Sequence, residues 1–139
     1  MENQQTITDQ LLKLLVPEEI LECFEVSDVR ESKQAIELEL RERKELIADS
    51  LNGEDVVLDG FCNPVELQSF PLKGKPTFIK LFRRRWKRRG DRKHYANSYD
   101  FAQPGTKATH AFGAFLKGAF GYSPDTFQHT RHRLMHPRK

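Results

Sequence analysis

Two hydrophobic periods run along this chain, and the changes between them mark its elements. Residues 8–25 repeat helically: Leu11, Leu12, Leu14 and Leu15 follow Thr8 or Asp9 as a cap, and Pro17 opens a second short helix, PEEILECFEV. Glu18 and Glu19 suit the positive end of that helix, and Ile20, Leu21 and Phe24 give it one apolar face. The pair reads as a docking hairpin or oligomer contact without chemistry of its own. The period then drops to two. In AIELELRER, Ile36, Leu38 and Leu40 alternate with Glu37, Glu39 and Arg41, which predicts a strand with one wet face. NGED (52–55) signals a turn, VVLDGF (56–61) a second strand, Asn63-Pro64 a turn, VELQSF (65–70) a third strand and LKGKP (72–76) a tight basic turn.

The next strand, TFIKLFRRRW (77–86), starts apolar and finishes cationic on both faces. Phe78, Phe82, Arg84 and Trp86 share one parity; Ile79, Leu81, Arg83 and Arg85 share the other. Such a strand leaves a core and runs onto a charged partner. A hairpin tip at Gly90-Asp91 with HYANSYDF (94–101) returning antiparallel completes a predicted basic ribbon. Beyond QPGT the helical period resumes, with Phe112, Phe115, Leu116, Ala119 and Phe120 on one face. Ser123-Pro124-Asp125 opens a final helix, SPDTFQHTRHRLMH. The predicted fold class is α+β: an N-terminal helical segment (1–33), an antiparallel β-meander with a basic ribbon (34–103) and a C-terminal helix pair (104–139). That pair is shaped like part of a helix-turn-helix or like an ordinary αα-hairpin.

Charge changes this picture most. The net charge of +3 conceals 17 Asp/Glu against 6 Lys/Arg in residues 1–70, and 17 Lys/Arg against 3 acids in residues 71–139. A polarity of that size marks the second half as a surface for a polyanion. Eight of its cations fall between Arg83 and Lys93: Arg83, Arg84, Arg85, Lys87, Arg88, Arg89, Arg92 and Lys93. Each phosphate neutralised by such a patch releases counterions, and arginine forks add bidentate contacts. A two-stranded ribbon also fits a major groove. Lys107, Lys117, Arg131 and Arg133 extend the basic surface onto the helices. Trp86 is read as core edge in preference to a base-stacking platform.

Other chemistry is excluded by residue type. Cys23 and Cys62 lack CxxC spacing, and they read as free thiols, not as a disulfide or zinc framework. His129, His132 and His136 would share a helix face, but histidines beside phosphate are the plainer reading. Asp91, Asp100 and Asp125 are spread over a turn, a strand and a helix start, which does not suit two-metal catalysis, and no GxSxG or HExxH occurs. No cofactor or metal is expected, and the chain is not expected to be an enzyme by itself. No apolar run approaches the roughly 20 residues of a membrane span, and the N-terminus lacks signal-peptide character. The expectation is therefore a cytoplasmic, nucleoid-associated protein.

Three phrases resemble the N-terminal region of bacterial insertion-sequence transposases of the ISAon group. They are LLKLLVPEEILECFEV, ELQSFPLKGKPTFIKLFRRRWK and PGTKATHAFGAFLKG, in that order. The resemblance singles out Gly74, Pro76, Arg84, Arg85, Trp86, Thr106, Thr109, Phe112 and Lys117. It implies a zinc-ribbon-like β module followed by a helix-turn-helix, binding double-stranded DNA at transposon ends, alone or as a homodimer. The paired ribbon cysteines are missing, so the module must be held by its apolar core. The DDE catalytic domain, with its Mg²⁺, is expected elsewhere, on a further domain or separate subunit, because the chain stops at Lys139. Two other readings stay open. One is an RNA-binding module stacking bases on Trp86, Tyr95 and Tyr99. The other is a protein–protein adaptor whose acidic half docks a basic partner or masks the ribbon.

Overall fold

The computed structural model describes residues 2–48, 51, 55–103 and 106–120. Its elements are α1 (Glu2–Leu15), α2 (Glu18–Leu21), β1 (Phe24–Glu31), β2 (Ile36–Glu42), β3 (Val56–Phe61), β4 (Val65–Leu72), β5 (Lys75–Phe82), β6 (Arg84–Arg88) and α3 (His110–Phe120). The α+β class holds, but the sheet is not an antiparallel meander. Four strands form a mixed sheet in the order β1-β2-β5-β4, in which β2 and β5 run parallel, and β3 and β6 form a separate two-stranded ribbon.

The period-two reading of β2 translates directly into packing. Ile36, Leu38 and Leu40 are buried and lie beside Thr77, Ile79 and Leu81 of β5, with Leu67 of β4 next to Ile79. Val16, Ile20 and Phe24 cover this core from the helical end, and Tyr99, Phe101 and Ala102 pack against it. Tyr99 and Phe101 stack at 5.1 Å, and both meet Phe24 edge-on. At about 25 cal/mol per Å² of apolar surface, this cluster is the main stabilising term of the fold.

The N-terminal expectations need correction. α1 begins at Glu2, so Thr8 and Asp9 lie inside the helix, and the Thr8 hydroxyl donates back to the Gln4 carbonyl at 3.0 Å. The second helix stops at Leu21, and Phe24–Glu31 is a strand. The helical face read from Ile20, Leu21 and Phe24 ends at Leu21, and an antiparallel ladder to β2 takes over, from Phe24↔Glu42 to Glu31↔Ile36. Ser32 shapes the hairpin turn: its hydroxyl accepts from the amides of Gln34 and Ala35. This hairpin crosses the boundary expected at 33/34.

LKGKP is the tight turn expected. Lys73 and Gly74 both have positive φ (54° and 74°), the mirror-image turn whose twist matches its flanking strands. Lys73 Nζ and Lys75 Nζ grip Glu31 Oε2 at 2.9 and 2.8 Å, fastening the end of β1 to the turn. Hydrogen bonds from Lys75 and Lys73 lower the Glu31 pKa from 4.5 to about 2. The folded value lies below the unfolded one, so this contribution is present above pH 4.5 and lost as pH falls towards 2. A carboxyl NMR titration should place Glu31 near 2 in the wild type and closer to 4.5 in Lys75→Met. Equal values in both proteins would refute the pairing.

α3 is capped by Thr109, whose hydroxyl accepts from the Phe112 amide at 3.3 Å; Thr106 instead bonds the Gln103 carbonyl. Residues 107–109 pair with the outer edge of β4 through Gln68, and Phe112 and Phe115 meet Phe70 edge-on. Gly113 lets the helix close on this loop, because a Cβ there would lie 2.6 Å from Gln103 Cβ. The expected second helix at 123–136, with His129, Arg131, His132, Arg133 and His136, lies outside the described residues, as do residues 52–54 of the NGED turn.

Candidate nucleic-acid interface

The basic stretch belongs to two sheets. Its apolar first half is β5, at the centre of the mixed sheet; after Arg83 the chain moves into the ribbon as β6. A buried carboxylate makes the step. β2 follows β5 as far as Arg41↔Phe82, and there the Glu42 side chain replaces the ladder, with Oε1 accepting the Arg84 amide at 2.8 Å. Glu42 is 0% exposed, and its other oxygen accepts from Asn97 Nδ2 at 3.0 Å and from the Tyr99 hydroxyl. Burying an ionised group without partners is prohibitively costly, and these three donors offset that cost. Burial first, then the bond to Glu42, pushes the Tyr99 phenol far above its ordinary pKa. Burial, helped by Glu22 and Glu42, also raises the Cys23 thiol, which makes it a poor nucleophile.

The strand opposite β6 is β3, not the expected HYANSYDF. Val56, Val57 and Leu58 pair with Arg88, Lys87 and Trp86, and residues 94–101 contribute one bridge, Trp86↔Tyr95. Valine and leucine make a better pleated surface than Asn-Ser, so the ladder forms with the acidic half of the chain. An Asp59-Gly60 bulge interrupts β3, with Gly60 at φ 77°. Arg85 lies across it: its Nη2 is 3.3 Å from where a Gly60 Cβ would stand, and its Nε donates to the Asp59 carbonyl at 2.9 Å.

The eight cations consequently divide. Arg84 is 9% exposed, donates from Nε to the Glu42 carbonyl at 2.6 Å and lies 4.9 Å over the Phe61 ring. Arg83, half-buried, donates to the Asn97 carbonyl at 2.9 Å, and Arg85 is held at the bulge. Arg83 and Arg84 tie the ribbon to the rest of the protein, and Arg85 braces it internally at the β3 bulge. Arg88 is intermediate in role: it donates to the Tyr95 hydroxyl at 2.7 Å and lies 5.1 Å over that ring. Arg89, Arg92 and Lys93 are exposed and Lys87 is half-exposed, on both sides of a turn in which the Asp91 amide bonds the Arg88 carbonyl. Arg89 pairs with Asp55 at 2.9 Å, and Lys93 rests 5.1 Å over Tyr95. Both contacts are solvent-exposed and worth little, so a phosphate can displace them. Lys107 and Lys117 are also exposed, on the loop before α3 and in its last turn.

Trp86 is core: 5% exposed, it packs with Ala48, Leu51, Val56 and Tyr95. Tyr99 is committed to Glu42 and Phe101. Sequence reasoning missed Glu42, although extending the Ile36-Leu38-Leu40 parity by one step places a carboxylate on the core side. It also missed Asp59, whose carboxyl is held below its usual range chiefly by the His94 hydrogen bond. Among the described residues no group of three His, Cys, Asp or Glu side chains is arranged to hold a metal, and no helix is long and apolar enough to cross a membrane. Compared with family models, curated proteins and solved structures, the chain matches none of them.

Proposed function

We propose that the chain binds double-stranded DNA as the recognition region of a transposase, acting with a catalytic domain or subunit carried elsewhere. The observation that carries the DNA reading is the division of the cations. Arg83, Arg84 and Arg85 are spent on the protein, whereas Lys87, Arg89, Arg92 and Lys93 lie at the end of β6 and around the turn that follows it. Exposed cations at one end of a two-stranded ribbon suit phosphate contacts along a groove. Lys107 and Lys117 add further cations. The transposase assignment, with its zinc-ribbon-like module and helix-turn-helix, rests on the three sequence phrases.

Base stacking is the weaker reading, because Trp86 is buried and Tyr99 is occupied. Competition decides between the two. In anisotropy titrations of the full chain on a labelled duplex, unlabelled duplex should displace the probe at lower concentration than single-stranded RNA of equal length. Displacement by RNA first would overturn the duplex reading.

A further inference from the structure

The ladder between β4 and β5 ends at Val65↔Leu81, two residues short of Arg83. A cavity of about 290 Å³ opens there. Phe24, Leu67 and Leu81, all buried, form its floor, and Tyr99 stands in its wall. Two charged residues also line it, Arg83 and Asp100. Arg83 belongs on this side because it shares the parity of Ile79 and Leu81, the core-facing residues of β5.

The state of Arg83 points to a ligand. Among the buried side-chain nitrogens and oxygens of the described residues, Arg83 Nε and Trp86 Nε1 lack a hydrogen-bond partner. Trp86 sits in an apolar cluster, whereas Arg83 borders open space. Its Nη1 donates to the Asn97 carbonyl at 2.9 Å, and no carboxylate among the described residues pairs with it. A cation so placed has lost part of its hydration without gaining a counter-charge, which is costly. Asp100, exposed at the rim, likewise has no ion pair among the described residues.

We infer that this cavity binds a free α-amino acid with an apolar side chain. The carboxylate pairs with Arg83, the ammonium with Asp100, and the side chain lies on Phe24, Leu67 and Leu81. Other ligand classes leave one of these features unanswered. A nucleobase is neutral and brings Arg83 no counter-charge. A phosphate or a simple carboxylic acid suits Arg83 but meets Asp100 as a like charge. The volume stands at the lower end of the roughly 300–1,000 Å³ of small-molecule sites, which favours a side chain the size of valine or leucine. The Asn97 bond already orders the guanidinium, so binding costs little further side-chain freedom. The site stands apart from the cations at the ribbon tip and does not depend on the DNA reading.

Titration of the full chain with L-leucine, followed by amide NMR shifts and calorimetry, tests this. Shifts should centre on Phe24, Tyr99 and Asp100, with Kd on the order of 10 μM to 1 mM for so small a ligand. Leucine amide, without the carboxylate, and isocaproate, without the ammonium, should each bind about tenfold more weakly or worse. Val65→Trp fills the mouth from an exposed position and should abolish binding at an unchanged Tm. Asp100→Asn should weaken leucine about tenfold but not isocaproate, a change of preference that misfolding would not produce. No shift at about 10 mM leucine, isocaproate or guanosine bound as tightly as leucine, or wild-type affinity in Val65→Trp would each overturn the inference.

Discussion

Glu42→Ala should lower the stability of this fold by about 3–5 kcal/mol, the largest effect of any single substitution considered. The loss is not of a pairwise attraction. Alanine leaves the Arg84 amide, Asn97 Nδ2 and the Tyr99 hydroxyl without the acceptor each uses now, and opens a cavity among them. Each orphaned buried donor costs about 1–3 kcal/mol. The same carboxylate joins both sheets and the 97–99 segment, so its loss should melt the fold as one transition, with Tm about 10–20 °C lower. Glu42→Gln keeps one acceptor oxygen and should cost less than Glu42→Ala. Tyr99→Phe retains the ring contacts with Phe24 and Phe101 and should cost about 1–3 kcal/mol, the worth of one bond to a charged acceptor. Thermal and urea unfolding of the three variants check this order; a wild-type Tm for Glu42→Ala would refute the role given to this carboxylate.

Replacing Lys87, Arg89, Arg92 and Lys93 together by alanine should reduce duplex-DNA affinity by at least 100-fold while leaving stability within about 1 kcal/mol. The affinity estimate follows from counterion release, about tenfold per phosphate contact at 0.1 M salt. The stability estimate follows from exposure: the Arg89–Asp55 pair is solvated, and the Lys93 contact with Tyr95 lies at the surface. The inner arginines should behave in the reverse way. Arg84→Met removes the Nε bond to the Glu42 carbonyl and the contact over Phe61, so it should lower Tm first. Alanine replacement of Arg83, Arg84 and Arg85, the obvious test from sequence, therefore confounds folding with binding. The tip variant separates them.

What the sequence revealed depended on whether local pattern and tertiary pairing agreed. They agree in β2, β3 and β4, where alternation or a short apolar run sits between turn residues, and at Lys73-Gly74. They disagree at Phe24–Glu31. There the helix read through Val26 from Ile20, Leu21 and Phe24 gives way to pairing with β2, a partner no local window contains. The parallel β2–β5 contact has the same cause, since it joins segments about 40 residues apart. The basic density was legible as a feature, but its division was not. Which arginines bond the protein depends on Glu42 and on the Asn97 and Asp59 carbonyls, all brought there by the fold. The burial of Trp86 does not follow from its parity with Phe78 and Phe82, which are only half-buried on β5; it comes from the β3–β6 ribbon, whose pairing the local pattern did not show.

The central claim is that the tip of the ribbon, and not its base, is the polyanion-binding surface. The salt dependence of duplex affinity tests it most directly, measured by anisotropy from roughly 50 to 200 mM salt. The log–log slope should be steeper for the wild type than for the Lys87/Arg89/Arg92/Lys93→Ala variant by about 3 to 4, near 0.9 for each lost phosphate contact. Parallel slopes for the two proteins, or a wild-type affinity that barely changes over that range, would contradict it.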